Sequence, residues 1–208
     1  MRDQTLFEEK LNATTHAIGI FFGITALILL IVFDNQKNNW SLFSIIVYGI
    51  SIIVLFTAST LYHAVNKKKQ KYYFRIIDHV SIYLLIAGTY TPVLLIALHD
   101  SLGWTLFWIV WGIAAFGIVL KLFFTGRFEV FSTLLYLAMG WLIVFDFSNL
   151  SNIIGDDGIL FLFGGGLFYT VGIVFYAVEK IPYNHVVWHL FVLAGAIFHF
   201  FMIFLYVI

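Results

Sequence analysis

Cysteine does not occur in this chain, which excludes disulfides, thiolate metal sites and cysteine nucleophiles. Charge is scarce as well: Asp, Glu, Lys and Arg make up 11% of the 208 residues, and their formal sum is zero. So few charges cannot cover the surface of a water-soluble domain of this length, so the chain is expected to be solvated by lipid. Zero net charge also leaves no electrostatic footprint for nucleic acid. No small-residue cleavage signal follows the first apolar run, which is therefore expected to be a retained span and not a signal peptide.

What fills the chain instead is apolar: 62% of residues are hydrophobic and 20% are aromatic. Crossing about 30 Å of hydrocarbon takes roughly 20 such residues in a helix. Seven stretches qualify, at 16–33, 41–63, 76–98, 104–124, 129–146, 159–178 and 184–207. The fifth is the shortest, bounded by Glu129 and Asp146. Backbone groups in lipid must be satisfied within the chain, and spans of this length do that as helices rather than barrel strands. The expectation is an all-α membrane protein, a seven-transmembrane helix bundle forming one domain over residues 1–208.

Lys and Arg set the expected orientation. With seven spans, the N-terminus shares a side with Arg2, Lys10, Lys67, Lys68, Lys69, Lys71, Arg75, Lys121, Arg127 and Lys180, while the opposite side carries Lys37 alone. Ten against one places the N-terminus inside and the C-terminus outside. The Lys67–Lys71 run also suits contact with anionic head groups. Trp40, Trp104 and Trp108 fall near outer span ends, where an interfacial aromatic belt is expected. Pro92 is expected to bend the third span, with Thr89 or Thr91 near the freed carbonyl. Gly164, Gly165 and Gly166 follow no strand and are expected to permit close helix packing rather than phosphate binding.

A few polar residues interrupt this pattern at matching places. Ser59 and His63 end the second span, Asp78 opens the third, and His185 and His189 open the seventh. In an up-and-down bundle all five lie at the inner ends of their helices, at similar depth. The i, i+4 spacing of His185 and His189 sets both imidazoles on one helical face, about 6 Å apart along the axis. Ionisable groups inside a bilayer are costly to keep and mark function by default. Three readings are open: a three-histidine metal centre with a carboxylate beside it, an interhelical hydrogen-bond cluster that locks the bundle, or haem ligation by facing histidines. Asn12 and His16 lie at the inner end of the first span, within reach of the rim. His79 points about 100° away from Asp78 and is expected to pack or snorkel. His199 lies about 21 Å further along the seventh helix than His185 and is expected to be a hydrogen-bonded core histidine. His99 falls in an outer loop.

Ser59-x-x-x-His63, the run from Asp78 to Pro92, His185-x-x-x-His189 and the opening Glu9-x-x-Asn12-x-x-x-His16 together resemble the haemolysin III proteins. These are the bacterial branch of the progestin and adipoQ receptor family, distantly similar to the alkaline ceramidases. The resemblance runs from Glu9 to His199 and lacks the long N-terminal extension of the eukaryotic receptors. It implies a seven-helix bundle in the cell membrane with zinc near the cytoplasmic face. It further implies that His63, His185 and His189 are the zinc ligands, that Asp78 holds water at the metal, and that Ser59 supports the site. Three histidines leave zinc an open fourth position, the arrangement of a catalytic site.

The function expected is zinc-dependent hydrolysis of a lipid amide or ester bond, with membrane lipids as partners and source of substrate. The alternative is a non-enzymatic haemolysin-like pore, or a sensor of membrane state, in which zinc is structural. No span shows the repeated polar stripe of a water channel. The orientation has its own test. A reporter fused after Ile208 is expected to be active only when it works outside the cytoplasm, and a reporter active only in the cytoplasm would overturn the topology.

Overall fold

The computed structural model describes residues 4–208; Arg2, which enters the charge count above, and Asp3 lie outside the described residues. The fold is helical throughout. Among the described residues seven α-helices follow in order: α1 (Leu6–Val32), α2 (Ser41–Ala64), α3 (Lys68–Pro92), α4 (Gly103–Phe124), α5 (Glu129–Gly140), α6 (Phe147–Ala177) and α7 (Asn184–Met202). Five-residue π-helical segments extend α3 and α7, at Val93–Ala97 and Ile203–Val207, and a 3-10 turn, Leu142–Asp146, leads from α5 into α6.

Several helices outrun the apolar stretches that mark them in the sequence. α1 begins at Leu6 rather than 16, because Thr5 and Glu8 close a capping box around its first turn and satisfy donors left free at a helix start. α3 begins at Lys68 rather than 76, since hydropathy registers lipid contact and not the hydrogen-bond ladder, which continues into polar sequence. Both extensions reach the end of the bundle where the candidate site lies.

The second difference concerns residues 129–178. Six helical runs among the described residues are long and apolar enough to cross a membrane, and one is the 49-residue run Glu129–Ala177. The sequence reading divides this run into two spans with a connection over 147–158. In the structure that connection is helical and the interruptions are local: the 3-10 turn, and a kink at Gly155 with φ 65° and ψ −177°. That backbone region is essentially restricted to glycine. Asp146 fastens the nearby turn, accepting hydrogen bonds from the Leu102 amide at 3.0 Å, the Ser101 hydroxyl at 2.5 Å and the Asn149 amide at 2.7 Å.

Packing is closest for α1 with α2, α2 with α3 and α6 with α7, and α1 also packs on α7. α1, α2, α3 and α7 therefore converge, and the core between helices is filled by Ile45, Tyr48, Ile52, Phe56 and Tyr83. Pro92 lies inside α3 and the π-helical segment follows it directly. The Thr89 and Thr91 hydroxyls donate to the carbonyls of Leu85 and Ala87, each at 2.8 Å. Gly164 and Gly165 let α6 approach Phe198 and His199 of α7, a packing role. Trp40 and Trp104 meet edge to face at 4.9 Å. Gly155→Ala is expected to destabilise the protein by about 1–3 kcal/mol, the cost of a side chain in that backbone region. Gly166→Ala, with open space where its Cβ would lie, is expected to cost nothing; thermal unfolding in detergent compares the two.

Candidate metal centre

The last turns of α2 carry Ser59 and His63, α3 carries Asp78 three turns from its start, and the first two turns of α7 carry His185 and His189. The entry into α7 is fixed locally. Tyr183 adopts a left-handed backbone with φ 54°, and the Asn184 side-chain amide donates to the Phe175 carbonyl at 2.9 Å, so the first turn of α7 is tied to the end of α6. With α2 and α7 so placed, one ligand atom from each of His63, His185 and His189 lies within 4.8 Å of the others, and all three residues are buried. The i, i+4 geometry on α7 brings its two ring centroids to 4.6 Å, and His63 sits 5.1 Å from His185 and 4.9 Å from His189.

The outward-facing nitrogens of two of these rings are occupied. His63 Nδ1 contacts Glu9 Oε2 at 2.7 Å. An ionised carboxylate only accepts hydrogen bonds, so Nδ1 carries the proton and donates it. In the neutral ring Nε2 then carries the lone pair, and that atom is buried with no hydrogen-bond partner. His189 Nδ1 lies 3.3 Å from the Asn12 main-chain carbonyl, which likewise can only accept, so in the neutral ring Nε2 carries the lone pair. A buried acceptor without a partner costs on the order of 1–3 kcal/mol. A cation supplies that missing partner for several imidazoles at once, and neutral imidazole is a ligand for zinc and other first-row transition metals. The donor set thus fits a metal ion on its own chemistry.

Asp78 and Ser59 border the same space. Both line a cavity of about 370 Å³ that also takes in His185 and His189, within the range of small-molecule sites. The Ser59 hydroxyl is buried next to Asp78 without completing a hydrogen bond. Away from this polar end the cavity is apolar, with Leu85, Val93, Ile143 and Met202 among its walls. Trp141, Val144 and Phe163 line it and are also exposed, so it reaches the outside between the α5–α6 turn and α6.

Other residues singled out in the sequence fall into place around this centre. His16 stacks on His189 with centroids 3.7 Å apart, and so belongs to the rim. His79 is buried 3.8 Å from Glu129, and His199 lies 3.2 Å from the Leu162 carbonyl as a core histidine. His99 pairs with Asp100 at 2.8 Å. Sequence reasoning missed two features. Glu9 and Lys71 join the site across α1 and α3, their side chains 2.7 Å apart. Lys121, counted among the cations on the N-terminal side, is a buried residue of α4 paired with Glu129 at 2.7 Å. The Glu129 pairing, eight residues on, had a signal in the charge order; the Glu9 pairing depends on how α1 meets α2.

Comparison with known proteins gives one consistent result. Residues 4–200 match the haemolysin-III-related family. The chain is 46% identical to the hemolysin-3 homolog of Bacillus subtilis (strain 168) over 203 residues, covering 97% of this chain and 95% of that protein. It is 46% identical to hemolysin-3 of Bacillus cereus over 206 residues, 99% of this chain and 94% of the relative. The monocyte to macrophage differentiation factor of Homo sapiens is 31% identical over 208 residues, covering 97% and 85% respectively.

Substituting one ligand of three is expected to cost far more metal affinity than disturbing a neighbour that only orients a ligand. The protein is expected to bind about one zinc ion per chain in an open three-histidine site, and His189→Ala to lose most of it. Metal analysis of detergent-purified protein measures both. Full retention in His63→Ala, His185→Ala and His189→Ala alike would rule out this ligand set.

Proposed function

We infer the function of this chain from the family to which it belongs, the haemolysin-III-related family of multi-pass membrane proteins, together with its buried histidine cluster. The reading is a zinc-dependent membrane hydrolase that cleaves an amide or ester bond of a lipid. The observation that carries it is the meeting of three imidazoles, one with a buried and unpartnered Nε2, near Asp78 at the polar end of an apolar cavity. In this reading the Glu129–Ala177 run makes two crossings. Its 49 residues, at about 1.5 Å each, are more than twice too long for about 30 Å of hydrocarbon, and the Gly155 kink supplies the break. The count is then seven, with the N-terminus inside by the distribution of Lys and Arg, and the site opens near the cytoplasmic face.

His63, His185 and His189 would hold the ion. Zinc bound there supplies Lewis acidity and lowers the pKa of a coordinated water to about 7. The cavity walls bind the acyl part of the substrate and exclude bulk water, and they bring the scissile carbonyl to the end where Asp78 lies. The Asp78 carboxylate takes the proton of the attacking water as its oxygen bonds to the carbonyl carbon. It then returns that proton to the departing nitrogen or oxygen as the old bond breaks. Ser59, buried beside Asp78, is placed to donate to the carboxylate once substrate orders the site. The exposed Trp141, Val144 and Phe163 at the cavity's edge suit entry of a lipid sideways from the bilayer.

Asp78→Asn separates the roles open to that residue. An amide cannot take up the proton, so the variant is expected to keep its zinc and fold while losing turnover by about 100-fold or more. The readouts are zinc content and hydrolysis across ceramide and phospholipid panels, measured side by side. Zinc lost as in a histidine variant would make Asp78 a direct ligand. Zinc and turnover both kept would make it structural glue, and no turnover of any lipid by the zinc-loaded parent protein would count against the hydrolase.

A further inference from the structure

We propose that Glu9 is a positioning residue of the metal centre: anchored by Lys71, it fixes the ring and tautomer of His63 so that Nε2 faces the ion. The assignment rests on the reading that His63, His185 and His189 hold a metal. Glu9 lies on α1, His63 on α2 and Lys71 on α3, 54 and 62 positions away from Glu9. The carboxylate uses one oxygen for each partner: Oε2 accepts from His63 Nδ1 and Oε1 accepts from Lys71 Nζ, both at 2.7 Å. These are short, charge-assisted contacts. They span three helices at the end of the bundle where α1 has run ten residues past its apolar stretch.

The consequences for His63 are specific. A neutral imidazole has one protonated nitrogen, and the carboxylate decides which. With the proton held at Nδ1, the lone pair stays on Nε2, the buried atom that has no other partner. The carboxylate also raises the basicity of the ring and thereby the strength of its bond to a metal. Lys71 holds the second carboxylate oxygen and stops the group from turning away. α1 serves a second ligand in the same manner through the Asn12 carbonyl on His189 Nδ1, while His16 one turn further stacks on the His189 ring. The start of α1 contributes no ligand itself, yet it determines the direction in which two ligands point.

The test uses full-length protein in detergent, with Zn²⁺ affinity measured by chelator competition and the visible spectrum recorded on the Co²⁺-substituted form. Glu9→Gln keeps the size of the side chain and removes its charge. It is expected to weaken zinc binding about 10–100-fold and to shift the Co²⁺ absorption bands. Lys71→Gln, which leaves the His63 contact in place, is expected to weaken binding less. Thr5→Ala breaks the cap of α1 without touching a ligand, and is expected to leave both affinity and spectrum unchanged. An unchanged affinity and Co²⁺ spectrum in Glu9→Gln would overturn the assignment. So would equal losses in Glu9→Gln and Thr5→Ala, which would make the effect one of helix stability. A parent protein that takes up neither ion would overturn the metal centre itself, and the assignment with it.

Discussion

Inside a bilayer every buried polar atom must find a partner within the protein, and this constraint governs the arrangement of the whole bundle. The chain has few ionisable side chains to satisfy, and several of them gather at one end. There Glu9, His63 and Lys71 tie α1 to α2 and α3, and the Asn12 carbonyl ties α1 to α7. What these contacts leave unsatisfied is as telling as what they satisfy. His63 Nε2 is buried without a partner, at a point where two other imidazoles arrive. A metal ion bound there would supply the missing partner to all three.

The rest of the fold suits a reaction at this place. A polar end with Asp78, His185 and His189 opens into an apolar cavity that reaches the outside beside α6. α5 is short and makes little contact with α6. A lipid reaching the cavity this way would keep its acyl portion in apolar surroundings throughout and bring only its polar linkage to the ion. Away from the site, Lys121 is buried but neutralised by Glu129, and Asp146 is absorbed by the turn it caps. These charges are accounted for by structure, which sets the histidine cluster apart.

Much of this was legible in the sequence, for physical reasons. Long apolar runs without charge permit only helices in lipid. Polar residues at matching ends of such runs must share a depth, so the grouping of Ser59, His63, Asp78, His185 and His189 followed from order and spacing. The connection over 147–158 is helical on either side of Gly155: Asp156 and Asp157 lower hydropathy without breaking the helix, and the interruption within it comes from one glycine conformation. Hydropathy likewise stopped short of the true starts of α1 and α3. The role of Glu9 was illegible because it depends on a contact 54 residues away, and no local pattern encodes that distance.

The account stands on a metal ion held by imidazoles, and X-ray absorption at the zinc edge of the purified protein tests that directly. It predicts a four-coordinate first shell of nitrogen and oxygen at about 2.0–2.1 Å, with the outer-shell multiple scattering that imidazole rings produce. A shell of six oxygens, the signature of adventitious hydrated zinc, or a spectrum without imidazole scattering would contradict it.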